Sequence, residues 1–590
     1  MTQISDFDST TKDNILNNIP KVKMGARSAN APLTQSYDKG PDVPLIEATI
    51  GDFFDAIVHK YPEREALVSR HQNIRLTYRE LQQKVTQLAS AMIEMGLEVG
   101  DRIGIWSHNN AEWLLIQLAT AKIGVILVNI NPAYRTFELQ YALNKLGCSA
   151  LVLMRHFKSS DYVQMIRELC PEIYHKDYNP LDLVEIPTIE RIIWIDEPES
   201  DESFNFMQKF SAWMAEGYAN DPRIAERQAQ LKNTDAISVQ FTSGTTGTPK
   251  GATLTHRNIL NNGYFMGEGM RLTEEDRLCI PLPLYHCFGM VGGNLAILTH
   301  GGCAVYPNDG FDPLTVLQTV EEEKCTALLG VPTMFIAELD HPDFDSFDLS
   351  SLRTGIMGGS SCPIEVMRRV IDKMHMREVT IAYGMTETSP ASCQTSSQTP
   401  LEKRVSTVGM VLPALEVKIV DTETGEVVPI GETGELLTYG YAVMKGYWGN
   451  HFKTRTAIQD GWMRTGDLAT MDEDGYITVV GRSKDMIIRG GENIYPVEVE
   501  NYLYPHPKIR DVQIVGVPDK KYGEVLAAWI IVKEPDSLNE EEIRQFCREH
   551  IAHYKVPTYF RFVTEYPMTI TGKIQKYKIV EQMMEELGLT

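Results

Sequence analysis

The sequence predicts an α/β fold: a large N-terminal domain of parallel α/β subdomains with a small β-barrel-like subdomain, then a smaller α+β C-terminal domain. Three observations predict it. Strand and helix patterns alternate from Asp101 to Val128; the alternation resumes around Ala327 and Thr354; and near Val405 the texture turns to short alternating runs between glycine turns.

Residues 1–44 are polar and mixed and end in Lys39-Gly-Pro-Asp-Val-Pro44, which predicts an irregular arm. The large domain is expected over 45–483. In it, Thr77-Tyr-Arg-Glu80 is a capping box opening a helix with Leu81, Val85, Leu88, Ala89 and Met92 on one face, closed by Gly96. Asp101–Trp106 reads as a strand, Glu112–Lys122 as a helix and Gly124–Val128 as a strand, and Ala327–Val331 and Thr354–Gly358 repeat the strand pattern. Glu416–Asp421, with turns at Thr424-Gly425 and Asp474-Gly475, predicts antiparallel hairpins. A small domain is expected over 484–590, with a hinge near Lys484 and one helix opened by the capping box Ser537-Leu-Asn-Glu540.

At 590 residues and 43% hydrophobic content the chain can bury more than one core, and its net charge of −23 excludes nucleic-acid binding as a main role. It has no apolar run of 18 residues or more, so no transmembrane segment is expected, and a start bearing Asp6, Asp8 and Asp13 predicts a cytoplasmic protein. Nine dispersed cysteines with no Cys-x-x-Cys pattern suit reduced core thiols. Homodimerisation is left open.

Thr242-Ser-Gly-Thr-Thr-Gly-Thr-Pro-Lys-Gly251 follows the apolar run Ala236–Phe241 and carries the composition of an anion cradle. Gly244 and Gly247 admit close backbone approach, while Thr242, Ser243, Thr245, Thr246 and Lys250 add donors and one charge. It is not a Walker loop: counted from Gly244, Pro249 stands where the second glycine belongs and Gly251 where the metal-binding hydroxyl belongs.

Four motifs follow in order: Tyr383-Gly-Met-Thr-Glu-Thr388; Thr465-Gly-Asp467; Gly481-Arg482 with Gly490-Gly-Glu-Asn-Ile-Tyr495; and Pro567-Met-Thr-Ile-Thr-Gly-Lys573. Together with the 242–251 loop they resemble the adenylate-forming superfamily of acyl-CoA synthetases, peptide-synthetase adenylation domains and luciferases, over nearly the whole chain from residue 45. The resemblance implies ATP, Mg²⁺ and coenzyme A as ligands and a mobile C-terminal domain. Tyr383 and Gly384, with the turn Gly358-Gly359-Ser360, are expected to sandwich adenine. Asp467 is expected on the ribose hydroxyls, with Arg482 beside the same sugar. Thr386 and Glu387 supply hard oxygen atoms suited to Mg²⁺ on a triphosphate. Lys573 is implied as the cation that bridges the attacking carboxylate and the α-phosphate, two anions whose approach costs roughly several kcal/mol in a partly dry site. Lys484 matches the family's hinge position, and Gly490 and Gly491 the lining of a pantetheine tunnel.

His286, in Pro283-Leu-Tyr-His-Cys-Phe-Gly289, matches the family's aromatic motif near the acyl site, where Phe288, Met290, Val331 and Met385 are candidate lining residues. Leu45–Phe53, Val128–Arg135 and Gly446-Tyr-Trp448 look like the medium-chain fatty-acid branch. Only seventeen residues follow Lys573, so free CoA is the expected acyl acceptor rather than a carrier domain. The expected reaction is activation of a fatty acid by ATP, releasing pyrophosphate, then transfer to CoA. An aryl or other acid, a carrier protein as acceptor, and an idle acyl- or CoA-binding homologue are the alternatives; the intact Glu387, Asp467, Arg482 and Lys573 speak against the last.

Overall fold

This computed structural model describes residues 2–25, 27, 31–196, 204–242, 249–490, 492–535, 537–548 and 551–589. Two parallel-rich sheets build the large domain. Among the described residues the first has eight strands in the order Gln208–Lys209, Arg191–Trp194, Ala150–Leu153, Arg102–Trp106, Ile126–Asn129, Ala236–Thr242, Lys250–Thr255, Gly446–Tyr447. Pairing is parallel up to Ala236–Thr242 and antiparallel beyond it. The second sheet, of nine strands, is parallel from Glu378–Tyr383 through Thr354–Gly358, Ala327–Gly330, Arg277–Cys279 and Cys303–Tyr306 to Glu65–Ser69. Its edge strands are antiparallel.

Local signals set the helices between these sheets. Thr77 Oγ1 accepts from Glu80 N while Glu80 reaches back to Thr77 N, so the expected capping box opens the helix Tyr78–Glu94. Asn110 caps Ala111–Ile123, and Gly124, at φ 74°, ends it in the left-handed region. Apolar residues lie all round this helix and only Glu112 escapes burial, because it runs inside the core rather than on a surface; its buried Gln117 and Lys122 pair with Asn294 and Asp55.

The third sheet is antiparallel: Tyr37–Lys39, Leu415–Val420, Gly434–Gly440, Trp462–Met471 and Ile458–Gln459, with Ile477–Arg482 also pairing on Trp462–Met471. From Ile487 the chain makes its own five-stranded sheet, with separate cores around Ile514 and Trp529.

Two expectations are corrected. The arm over 1–44 is not irregular throughout: Thr2–Asn17 is helical, and Tyr37–Lys39 adds an edge strand to the third sheet. Ile15, Leu16 and Ile19 pack against the main core. These few apolar contacts in a polar stretch give no readable period, and the surface they need is formed by residues far along the chain. In the small domain Asn539, not Ser537, caps the helix Glu540–Arg548, accepting from Glu542 N at 3.0 Å. That start turns Ile543 and Cys547 inward.

Candidate active site

The site sits where strand ends of the first two sheets meet the third, the place at which parallel sheets leave polar backbone and loops free for ligands. Thr242 ends a strand of the first sheet and pairs in register with Lys250 across the intervening hairpin. Ser243, Gly244, Thr245, Thr246 and Gly247 lie outside the described residues. Glu387 is buried in the turn Thr386–Thr388 and accepts from Thr242 Oγ1 at 3.2 Å and from the Tyr447 hydroxyl at 2.8 Å. The Lys250 ammonium stands 5.0 Å from the Tyr447 ring centre. Tyr447 therefore joins the Glu387 carboxylate, itself bonded to the Thr242 hydroxyl, to the Lys250 cation. Burial is the main cause, with the Glu387 charge adding to it, that holds the Tyr447 hydroxyl protonated at any ordinary pH.

Tyr383 ends its strand and donates to Asp467 Oδ2 at 2.6 Å. Asp467 and Arg482 are cross-strand partners in the third sheet, with Arg482 Nε 3.1 Å from Asp467 Oδ1. A carboxylate has about four lone-pair positions, so Asp467 can accept further hydroxyls. Burial acts to lower the Arg482 pKa, but Asp467 and Asp485 outweigh it and raise the value. Gly358 ends the neighbouring strand, and Gly359 and Ser360 form the exposed turn after it. Gly384 is required by packing: a Cβ there would stand 2.0 Å from the Pro390 carbonyl oxygen.

Lys573 comes from the small domain into this site. Its turn is tied to the large domain by Thr333 Oγ1, which donates to Gly572 O at 3.1 Å. Lys573 shares a cavity with His286, Phe288, Val331, Gly359 and Thr571. Gly359, at φ 87°, leaves the lysine room, since a Cβ would come within 3.4 Å of Lys573 Cε. Desolvation lowers the Lys573 pKa, and Arg482 adds to that against the opposing pull of Asp467 and Glu387. Anions entering the cavity would return the proton affinity the lysine has lost.

Burial, helped by Lys573, pushes the His286 pKa down to about 3. Its Nδ1 accepts from Phe288 N at 3.2 Å, so the neutral ring carries its proton on Nε2. Phe288–Leu295 is wound as a π-helix, a form concentrated at functional sites. Cys287 Sγ lies 3.5 Å from Thr386 Oγ1, and burial raises its thiol to about 11, which leaves it unreactive.

The structure thus gathers Thr242, Lys250, Gly358, Gly359, Ser360, Tyr383, Gly384, Thr386, Glu387, Asp467, Arg482, His286 and Lys573. Phe288 and Val331 line the cavity, whereas Met290 is buried beside the Asn129 side chain. Lys484 is exposed in the turn Ser483–Asp485 that joins the third sheet to the small domain. Gly490 sits in a small-domain hairpin, its N–H donating to Tyr522 O, and Gly491 lies outside the described residues. Sequence reasoning missed Tyr447, Cys287 and Thr333 as parts of the site. Gly446-Tyr-Trp448 was visible as a motif, but only the fold shows Tyr447 reaching Glu387.

For Mg²⁺ the donor set fits: one buried carboxylate beside a hydroxyl, with no cluster of three or more acidic, His or Cys ligands among the described residues. Mg²⁺ is commonly held by one or two carboxylates plus substrate phosphates rather than by a protein cage.

Paired parallel sheets, a carboxylate–hydroxyl site and a lysine delivered by a separate small domain define the adenylate-forming class. The pattern of the AMP-binding enzyme family matches residues 54–448 and that of the AMP-binding enzyme C-terminal domain residues 498–573, and the chain belongs to this family. It is 47% identical over 92% of its length, and 99% of the relative's, to YngI of Bacillus subtilis (strain 168), whose name as an acyl-CoA synthetase is itself unproved. It is 44% identical to the mitochondrial medium-chain acyl-CoA ligase ACSF2 of Bos taurus, covering 92% of this chain and 89% of that protein. The crystal structure of the anthranilate CoA ligase AuaEII in complex with anthranoyl-AMP superposes with a TM-score of 0.81 at 28% identity, covering 93% of this chain and 99% of that one.

Proposed function

We propose that this chain activates a fatty acid with ATP and passes the acyl group to coenzyme A. The observation that carries the reading is Lys573, held by the small domain in one cavity with His286 and Gly359 and within electrostatic reach of Glu387 and Asp467. A carboxylate oxygen is a poor leaving group, so the acid first attacks the α-phosphorus. The Pα–O bond to pyrophosphate breaks, leaving an acyl-adenylate. Lys573 screens the two anions as they meet. Asp467 and Arg482 hold the ribose, and the Tyr383 ring and the Gly358–Ser360 turn hold the base. Thr242 and Lys250, with the intervening loop, hold the departing phosphates. Glu387 and Thr386 would hold Mg²⁺, which neutralises phosphate charge when bound.

In the second step a CoA thiol attacks the acyl carbonyl and AMP leaves. In this reading Gly490, on the small domain's hairpin, and Gly491 line the pantetheine path once the small domain turns about Lys484, with the domain boundary at 483/484. His286, neutral and beside Phe288, faces the acyl end. The relatives at 42–44% identity named as medium-chain ligases support a medium-chain acid over an aryl one, since the anthranilate ligase is more distant at 28%. No described helix is long and apolar enough to cross a membrane. A cytoplasmic location remains the proposal, and fractionation decides between it and the mitochondrial location in the relatives' names.

The test is a panel of acids scored for pyrophosphate release with and without CoA. Medium-chain acids should give release, with AMP and acyl-CoA accumulating when CoA is present. Absence of acid-dependent release across the panel overturns the reading.

A further inference from the structure

A second cleft opens behind the Thr242–Lys250 hairpin. Its walls include Tyr141 and Lys145 of the helix Thr136–Leu146, Lys250, Tyr447, Trp448, and Lys453 of the helix His451–Ala457. The space inside it is about 190 Å³, room for a small anion such as a diphosphate. Tyr141 fixes one wall by donating to Pro249 O at 3.3 Å.

The charge here opposes that of the chain. Three lysines and, among the described residues, no acidic one line the cleft, in a protein of net charge −23. Lys145 Nζ donates to the Gly449 carbonyl at 3.3 Å, and Lys250 lies over the Tyr447 ring; neither has a carboxylate partner among the described residues. Such a cationic concavity takes a compact, highly charged anion.

Tyr447 links the cleft to the proposed reaction site. It lines the cleft, while its hydroxyl donates to Glu387 at 2.8 Å. The two ends of one hairpin serve both sides: Thr242 bonds Glu387, and its register partner Lys250 lines the cleft. An anion released beside Thr242 and Glu387 therefore has a prepared cationic receptor one side chain away.

We propose that this cleft receives the pyrophosphate leaving group, with Lys145 and Lys453 as its cations and Lys250 shared between the cleft and the reaction site. The inference rests on the adenylation reading. In that step the electron pair of the broken Pα–O bond stays on the bridging oxygen, and pyrophosphate leaves with that charge. Transfer to the cleft removes it from the line of attack on the acyl-adenylate and so opposes the reverse reaction.

The test measures inorganic pyrophosphate binding by calorimetry, with the nucleotide and acyl places filled by a non-hydrolysable acylsulfamoyl adenosine. Lys145→Ala and Lys453→Ala should each weaken pyrophosphate binding about tenfold, and Lys145→Arg should retain it, while KM for ATP changes less than about twofold; a lost cationic contact to phosphate near 1.4 kcal/mol corresponds to tenfold. Circular dichroism verifies that the variants are folded. Wild-type-like binding in both alanine variants overturns the proposal. So does an equal rise in KM for ATP, which would place ATP's own phosphates there. Adenosine 3′,5′-bisphosphate is titrated in parallel; if it binds more tightly than pyrophosphate and is lost in the same variants, the cleft serves the nucleotide end of CoA. Failure of the acid panel would remove the enzyme reading yet leave these binding constants to be judged by themselves.

Discussion

Glu387 illustrates how little of a site resides in one side chain. Its carboxylate is placed by a strand-end threonine and by Tyr447, sixty residues on. Tyr447→Phe removes the 2.8 Å bond and should raise KM for ATP several-fold with a smaller fall in kcat, read from initial rates; a neutral hydroxyl bond to a charged group is worth about 1.5–3 kcal/mol. Lys573→Ala should cut acid-dependent pyrophosphate release at least about a hundredfold, as removal of a transition-state donor does. Thiolation of supplied acyl-adenylate should be nearly unaffected; an equal fall in both half-reactions would contradict the two-orientation scheme.

Glu338 presents the reverse case, a carboxyl with no task. It is 1% exposed in the helix Pro332–Leu339, and its Oε2 has no partner among the described residues. Burial raises its pKa well above the ordinary 4.5. The native state then binds more protons than the unfolded state above that value, so this group's contribution falls as pH rises. Glu338→Gln should therefore stabilise the protein at pH 7 by about 1–3 kcal/mol and make little difference near pH 4, measured by denaturant titration at both pH values.

Among the elements, the helix Tyr78–Glu94 was legible because its signals are all local: a capping box, a 3.6-residue period and a terminal glycine. Thr77→Ala should cost about 1 kcal/mol of stability through loss of that cap. The helix Thr2–Asn17 was not legible, because its apolar residues are few and Ile15 and Leu16 pack on a surface assembled from distant sequence. The connection between domains was equally hidden. Arg510 of the small domain lies 3.1 Å from Asp340, which also binds Arg369 at 2.7 Å. These side chains are partly exposed, so the pair is worth about 0–1 kcal/mol. Arg510→Ala should thus lower the adenylation rate by up to about fivefold and leave thiolation unchanged, tested by separate assays of the two half-reactions.

The small domain has its own sheet and its own cores, distinct from the clusters of the large domain. Unfolding is therefore expected in more than one step. Trp529, the only tryptophan after residue 483, reports on the small domain; its fluorescence transition should differ in midpoint from the calorimetric transition of the large domain. Coincidence of the two would mean that the domains unfold as one.

Composition, strand–helix alternation and five ordered motifs carried the α/β class, the family and most of the site residues, because each depends on short-range pattern or on residue types that the chemistry requires. The joining of Thr242, Glu387 and Tyr447, the entry of Lys573 beside Gly359, and the lysine cleft behind Lys250 were settled only by folding. Each joins residues that are about sixty to more than three hundred positions apart, and no local pattern records which distant strand or helix will supply the opposite wall.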